Sequence, residues 1–187
     1  VINGGMQIWQ RGTSFVNTSA GGNFYTADRM ATNRTGNATG ITTSRSTSAP
    51  TGFQYSLALQ RTAGDAGTAA MVLYYSNETV NSIQLQGQSA TLSFYARTGA
   101  NYSGGQLNVQ LNTGTGTDER VYAYTGNNNI VNINQSITST WTRYTFTGTV
   151  PSNATEIGFI LSWTPSGTAG ADDTVYLTGM QLESGTC

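Results

Sequence analysis

Short runs of strict apolar–polar alternation recur along this chain, and no stretch places apolar residues at helical spacing. The clearest run covers residues 106–112. Leu107, Val109 and Leu111 share one parity, and Gln106, Asn108, Gln110 and Asn112 share the other. Residues 53–61, 90–97, 142–147 and 156–163 alternate in the same way, with Phe53, Tyr55, Leu57 and Leu59, then Leu92, Phe94 and Ala96, then Tyr144 and Phe146, then Ile157, Phe159, Leu161 and Trp163 on the apolar side. Residues 6–10, 28–33, 69–75, 130–134 and 174–182 are further strand candidates. In the last, Val175 and Leu177 share one parity and Met180 and Leu182 the other, so Gly179 stands where a β-bulge is required. Roughly ten strands at this spacing predict an all-β antiparallel β-sandwich with almost no helix. No stretch has the bias of an interdomain linker, so residues 1–187 read as a single domain. Residues 34–52 read as the longest loop.

Composition narrows the chemistry. Charged residues are only 9% of the chain, against roughly a quarter in an ordinary domain, while aromatics reach 10% and the net charge is −1. A disordered chain shows the reverse, with high net charge and few aromatics. All eight basic residues are arginines, balanced by nine carboxylates, so no strong field exists to attract nucleic acid. With no histidine, the Ser-His-Asp and Cys-His triads and His-rich metal sites are excluded. Cys187 is the only cysteine, which rules out an intrachain disulfide. No apolar run approaches the length of a membrane-spanning helix. The opening Val1-Ile2-Asn3 shows no signal-peptide pattern, and a start without Met suggests a processed chain or a fragment.

What remains suits binding rather than catalysis. Gln106, Asn108 and Gln110 form an amide row on the polar parity of their run. Tyr95 and Arg97 lie on the polar parity of theirs, and Tyr122 and Tyr124 alternate within 120–124. Amides, hydroxyls and tyrosine faces together form a surface that suits a sugar, whose C–H face packs on rings while its hydroxyls bond to amides. The alternative is a plain solvent-facing sheet or a contact between protomers. Trp163 continues an apolar parity and reads as core.

Four pieces in order carry a family likeness: Asn3-Gly4-Gly5-Met6-Gln7-Ile8-Trp9-Gln10-Arg11-Gly12, then Tyr25-Thr26-Ala27-Asp28-Arg29, then Thr91-Leu92-Ser93-Phe94-Tyr95-Ala96-Arg97 with Trp141-Thr142-Arg143-Tyr144, and finally Gly179-Met180-Gln181-Leu182-Glu183. The chain resembles the jelly-roll domain near the C-terminus of bacteriophage tail fibres and related virion proteins, itself similar to jelly-roll carbohydrate-binding modules. The resemblance covers essentially the whole chain. It implies a jelly-roll topology, a place in the phage particle and a non-catalytic role in binding host surface polysaccharide, with other virion proteins and a homotrimeric fibre as further partners. A purely structural role, as capsid decoration or fibre shaft, competes with it. The resemblance also implies that an acid before the last strand helps to hold a structural calcium, which makes Asp172 and Asp173 the metal candidates. The residues themselves read first as solvated loop charge, ahead of a metal site. No other cofactor is expected.

Overall fold

The computed structural model describes residues 1–18, 22–35 and 40–185. Cys187 lies outside them. Among the described residues twelve strands form two six-stranded antiparallel sheets. Sheet I has the order β1 (Ser14–Asn17), β4 (Ile41–Ser46), β5 (Ser56–Arg61), β12 (Thr174–Ser184), β7 (Ser89–Thr98) and β10 (Thr142–Thr149). Sheet II has the order β2 (Phe24–Tyr25), β3 (Ala31–Arg34), β6 (Met71–Ser76), β11 (Glu156–Trp163), β8 (Leu107–Gly114) and β9 (Asn128–Gln135). The chain crosses repeatedly between the sheets, which is the jelly-roll pattern. Among the described residues helix is confined to the single turn α1 (Thr79–Ser82) and two 3₁₀ turns, Ile83–Leu85 and Val121–Ala123. Among the described residues no helix is long and apolar enough to cross a membrane.

The alternation works as expected. Leu57, Leu59, Leu92, Phe94, Leu107, Val109, Leu111, Phe146, Phe159, Leu161 and Trp163 turn into one core between the sheets, and Leu182 packs half-buried at its edge. Phe94 stacks on Phe146 and Tyr75 on Phe159, with ring centroids 5.9 and 5.1 Å apart. Gly179, at φ +63°, does sit at a register shift between Thr178 and Gln181 in the β12–β7 ladder. A side chain there would strike Phe53.

One strand expectation and one loop expectation fail. Residues 6–10 form a turn in which Met6 takes φ +56° and Asn3 clasps Ile8, its side chain accepting the Ile8 N–H and donating back to the Ile8 carbonyl. A side chain that bonds its own backbone neighbours replaces the ladder there. Residues 34–52 are not one loop, since they contain β4. That strand carries a single large apolar residue, Ile41. Its inward Thr43 is buried and donates to Thr32 of the opposite sheet at 3.0 Å, so its core-facing parity does not look apolar.

One end of the sandwich is closed by charge rather than oil. Arg34 and Arg61 are fully buried, and each is paired with a buried carboxylate, Asp65 and Asp173 respectively. Both guanidiniums also donate to the Gly67 carbonyl, at 2.6 and 2.9 Å. Arg61 bonds further to the Gly167 carbonyl at 2.8 Å and the Ser103 hydroxyl at 3.2 Å. Planar, multiply bonded guanidiniums are what allow charge to stay here out of water.

Candidate functional site

The outer face of sheet II is built in rows. In register across all six strands stand Asn132, Gln110, Ile160, Tyr74, Ala31 and Tyr25. The next row holds Asn134, Asn108, Ser162, Val72 and Asn33, and a third holds Asn129, Asn112, Gly158 and Ser76. Val72 and Ile160 make an apolar floor, and amides line one side. The Val121–Ala123 turn lies across β11 and raises Tyr122 as an end wall. It can do so because β11 has a glycine there: a Cβ on Gly158 would come within 3.0 Å of the Val121 Cβ and 2.8 Å of the Tyr124 hydroxyl. The Val121 N–H donates to the Ser76 hydroxyl at 2.8 Å, which fixes the turn onto β6.

The result is a trough of about 380 Å³ lined by Tyr74, Gln110, Asn112, Tyr122, Asn127 and Ile160 among others. The Tyr74 and Tyr122 rings meet at 5.1 Å and 59°. Beyond them a second hollow of about 220 Å³ continues toward Tyr25, Arg29 and Arg120. Burial pushes the Tyr74 hydroxyl above its ordinary range, with the nearby Tyr122 adding to the effect, so it stays protonated and able to donate.

The amides of the trough are bonded to one another. Asn112 donates to the Asn127 side-chain oxygen at 3.2 Å, Asn127 to Asn129 at 3.2 Å, Asn129 to Gln110 at 3.2 Å, and Gln110 to Asn108 at 2.8 Å. Asn108 ends the relay by donating to both Asn132 and Asn134.

The candidate residues named from sequence do not form one site. Gln110, Asn108 and Tyr122 share the outer face of sheet II. Gln106 lies beyond the start of β8 and donates to the Ser136 hydroxyl. Tyr95 and Arg97 are on β7, in the other sheet, so the amide row and the Tyr95–Arg97 row face opposite sides of the molecule. Arg97 is held 4.0 Å over the Tyr176 ring and 5.6 Å from that of Trp141. Tyr95 packs between Phe53 and the Arg143 guanidinium. Tyr124 is 5% exposed beneath the turn, where burial and the nearby Glu156 hold its hydroxyl far above the ordinary range, so it is not a surface residue.

The acids have protein partners. Asp173 accepts from Arg61 at 2.8 Å and from the Ser103 N–H and hydroxyl, so the cation it holds is a guanidinium. Asp172 accepts from the Ala100 N–H at 3.0 Å and the Tyr176 hydroxyl at 2.9 Å. Burial raises its pKa, but those bonds, with Thr174 and the Arg97 charge, outweigh it and hold the carboxyl below its ordinary value. Asp118 accepts the Thr79 N–H, and Glu119 accepts the N–H and hydroxyl of Thr125. Among the described residues no three acidic or sulfur side chains gather as a metal would need.

Sequence reasoning missed Asn112, Asn127, Asn129, Tyr74, Val72 and Ile160. The signal for the asparagines was present, since the polar parity of residues 106–112 continues to Asn112 and residues 127–134 hold five asparagines. Nothing local showed that β6 and β11 would supply the floor.

With this geometry in hand, the likeness to solved structures is specific to the fold. A structure titled for CBM4 aligns at TM-score 0.52 and 16% identity, over 98% of each chain. The C-terminal family 22 carbohydrate-binding module of Clostridium thermocellum Xyn10B aligns at 0.51 and 13%, over 94% of this chain and 96% of that one. The enzymatically active domain of bacteriophage CBA120 tailspike protein 4 aligns at 0.57 and 14%, over 84% of this chain but only 19% of the tailspike. The fold is the jelly-roll β-sandwich that these structures share. No protein-family model and no curated protein matches the sequence.

Proposed function

We propose that this chain is a non-catalytic glycan-recognition domain of a phage tail fibre or spike, binding host surface polysaccharide in the trough of sheet II. The observation that carries the reading is the trough itself, where the apolar floor of Val72 and Ile160 and the Tyr74–Tyr122 wall lie beside a row of neutral amides. A pyranose offers the complementary surfaces, C–H faces for the floor and wall and hydroxyls for the amides. Neighbours titled as carbohydrate-binding modules and as a phage tailspike domain support both halves of the proposal. Each site binds weakly, and a homotrimeric fibre multiplies it by avidity.

The test is a glycan array and a pull-down on bacterial envelope polysaccharide with the intact protein, repeated at severalfold higher salt. Binding that persists in salt is expected, because neutral hydrogen bonds and ring packing release no counterions. Absence of any sugar ligand, with the sheet II face found buried against another virion protein, would overturn the reading in favour of a structural role. Light scattering on the intact protein tests the trimer.

A further inference from the structure

The amide relay of the trough has a direction, and its two ends differ. Each amide oxygen from Asn127 through Asn129, Gln110 and Asn108 to Asn132 and Asn134 accepts a hydrogen bond from the preceding amide. The exception is the first. Asn112 spends one N–H on Asn127 and is 3% exposed, yet its side-chain oxygen has no donor. An amide carbonyl kept from water without a partner costs about 1–3 kcal/mol, and nearly all such groups in folded proteins are satisfied. Its side-chain hydrogen-bond partner, Asn127, is an exposed residue in the turn before β9.

The donors the trough offers are also ordered. Asn127, Asn129 and Gln110 each spend one N–H within the relay and keep a second. None of the side chains lining this cavity carries a formal charge, and the nearby Arg120 guanidinium already donates to the Tyr122 hydroxyl at 2.9 Å from the adjoining hollow, so a carboxylate or phosphate beside the amides would lose water with no cation on the trough's own lining to replace it.

We infer that the trough selects an uncharged, hydroxyl-rich sugar chain in one orientation, with one hydroxyl donating to the Asn112 side-chain oxygen and the ring or hydroxyl oxygens that follow accepting from Gln110, Asn127 and Asn129. Asn112 is then the specificity-determining acceptor of the site. The inference rests on the glycan-binding reading and sharpens its ligand class to a neutral chain.

The experiment uses the intact protein, xylohexaose and cellohexaose as neutral probes, and an oligogalacturonate of similar length as the charged one. Titration calorimetry is run with wild type, Asn112→Ala and Tyr122→Ala, each first confirmed folded by thermal melting. A neutral probe is expected to bind, the oligogalacturonate to bind at least tenfold more weakly, and Asn112→Ala to weaken the neutral probe roughly tenfold. Monodeoxy derivatives of the bound sugar supply a readout that does not depend on the variant's stability. One of them is expected to bind wild type about tenfold more weakly than its parent, yet to bind Asn112→Ala as tightly as the parent does. A neutral sugar that needs Tyr122 but is indifferent to Asn112, with no deoxy derivative coupled to that residue, overturns this inference and leaves the glycan-binding reading standing. If neither these probes nor any sugar of the glycan array binds, both fall; if the array yields only charged sugars, this inference alone falls.

Discussion

The two outer faces of the sandwich are made of similar residue types and behave differently. On sheet I the polar parity of β7 places Tyr95 beside Arg143 and Arg97 beside Tyr176 and Trp141, and the charges lie against rings. Arg143 also bonds to Ser93 and Gln181, and Arg97 to the Ser48 hydroxyl. On that face these charged groups are engaged with one another and with the rings beside them. On sheet II the amides are also joined to each other, but the relay begins at an unpaired carbonyl and runs beside an apolar floor with a tyrosine wall. The lesson is that exposure and polarity do not mark a binding face. A concave shape with an unmet hydrogen-bond demand does.

Both faces depend on the closed end of the sandwich, so the largest expected effect removes their common frame. Asp173→Ala leaves the Arg61 guanidinium buried without its carboxylate, and denaturant unfolding is expected to show a loss of about 3–5 kcal/mol. A loss under 1 kcal/mol would mean that Arg61 finds water.

The second substitution separates the faces. Tyr122→Ala is expected to cost more than about 1 kcal/mol in sugar affinity, roughly fivefold or more, while Tyr95→Ala on sheet I leaves affinity unchanged in the same titration. If Tyr95→Ala weakens binding as much, the assignment of function to sheet II is wrong.

A smaller effect tests the idea that sheet I is self-satisfied. Trp141→Ala strips one ring from Arg97 and is expected to lower stability by about 1 kcal/mol, seen in denaturant unfolding, with no change in sugar binding.

The smallest is a pH effect under the trough's end wall. Burial first, then the nearby Glu119 charge, raises the Glu156 carboxyl above its ordinary 4.5. One of its oxygens accepts the Glu119 N–H and the other has no partner. Since the folded-state value is the higher one, its favourable contribution is whole below the unfolded value and is lost as pH rises through the folded one. Stability measured upward from pH 4 is therefore expected to fall less steeply, or to rise more, in Glu156→Gln than in wild type. Parallel pH profiles for the two proteins would refute the shift.

Much of the fold was legible because a pleated strand has a period of two residues and a buried face must be apolar. Leu107 to Leu111 and Ile157 to Trp163 announce themselves for that reason. β4 did not, because its inward Thr43 meets a threonine across the core and so needs no hydrocarbon. Residues 6–10 misled because their alternation has no partner strand, and side-chain bonds within the turn are local events that a period count does not register.

Of the candidate site, the sequence determined that Gln110, Asn108, Tyr95 and Arg97 would point away from the core, and that the outward face of β8 would carry neutral amides rather than acids or histidines. Which of them would meet was decided only by the tertiary structure. Alternation states which side of its own sheet a residue occupies, but β7 and β8, consecutive in the chain, go to different sheets. The trough's floor comes from β6 and β11, its wall from a turn seated on Gly158, and its unpaired acceptor from the place where a relay of six other amides begins. Those are contacts between residues distant in sequence. They are set by strand order and by the chain crossings between sheets, and no local pattern encodes either.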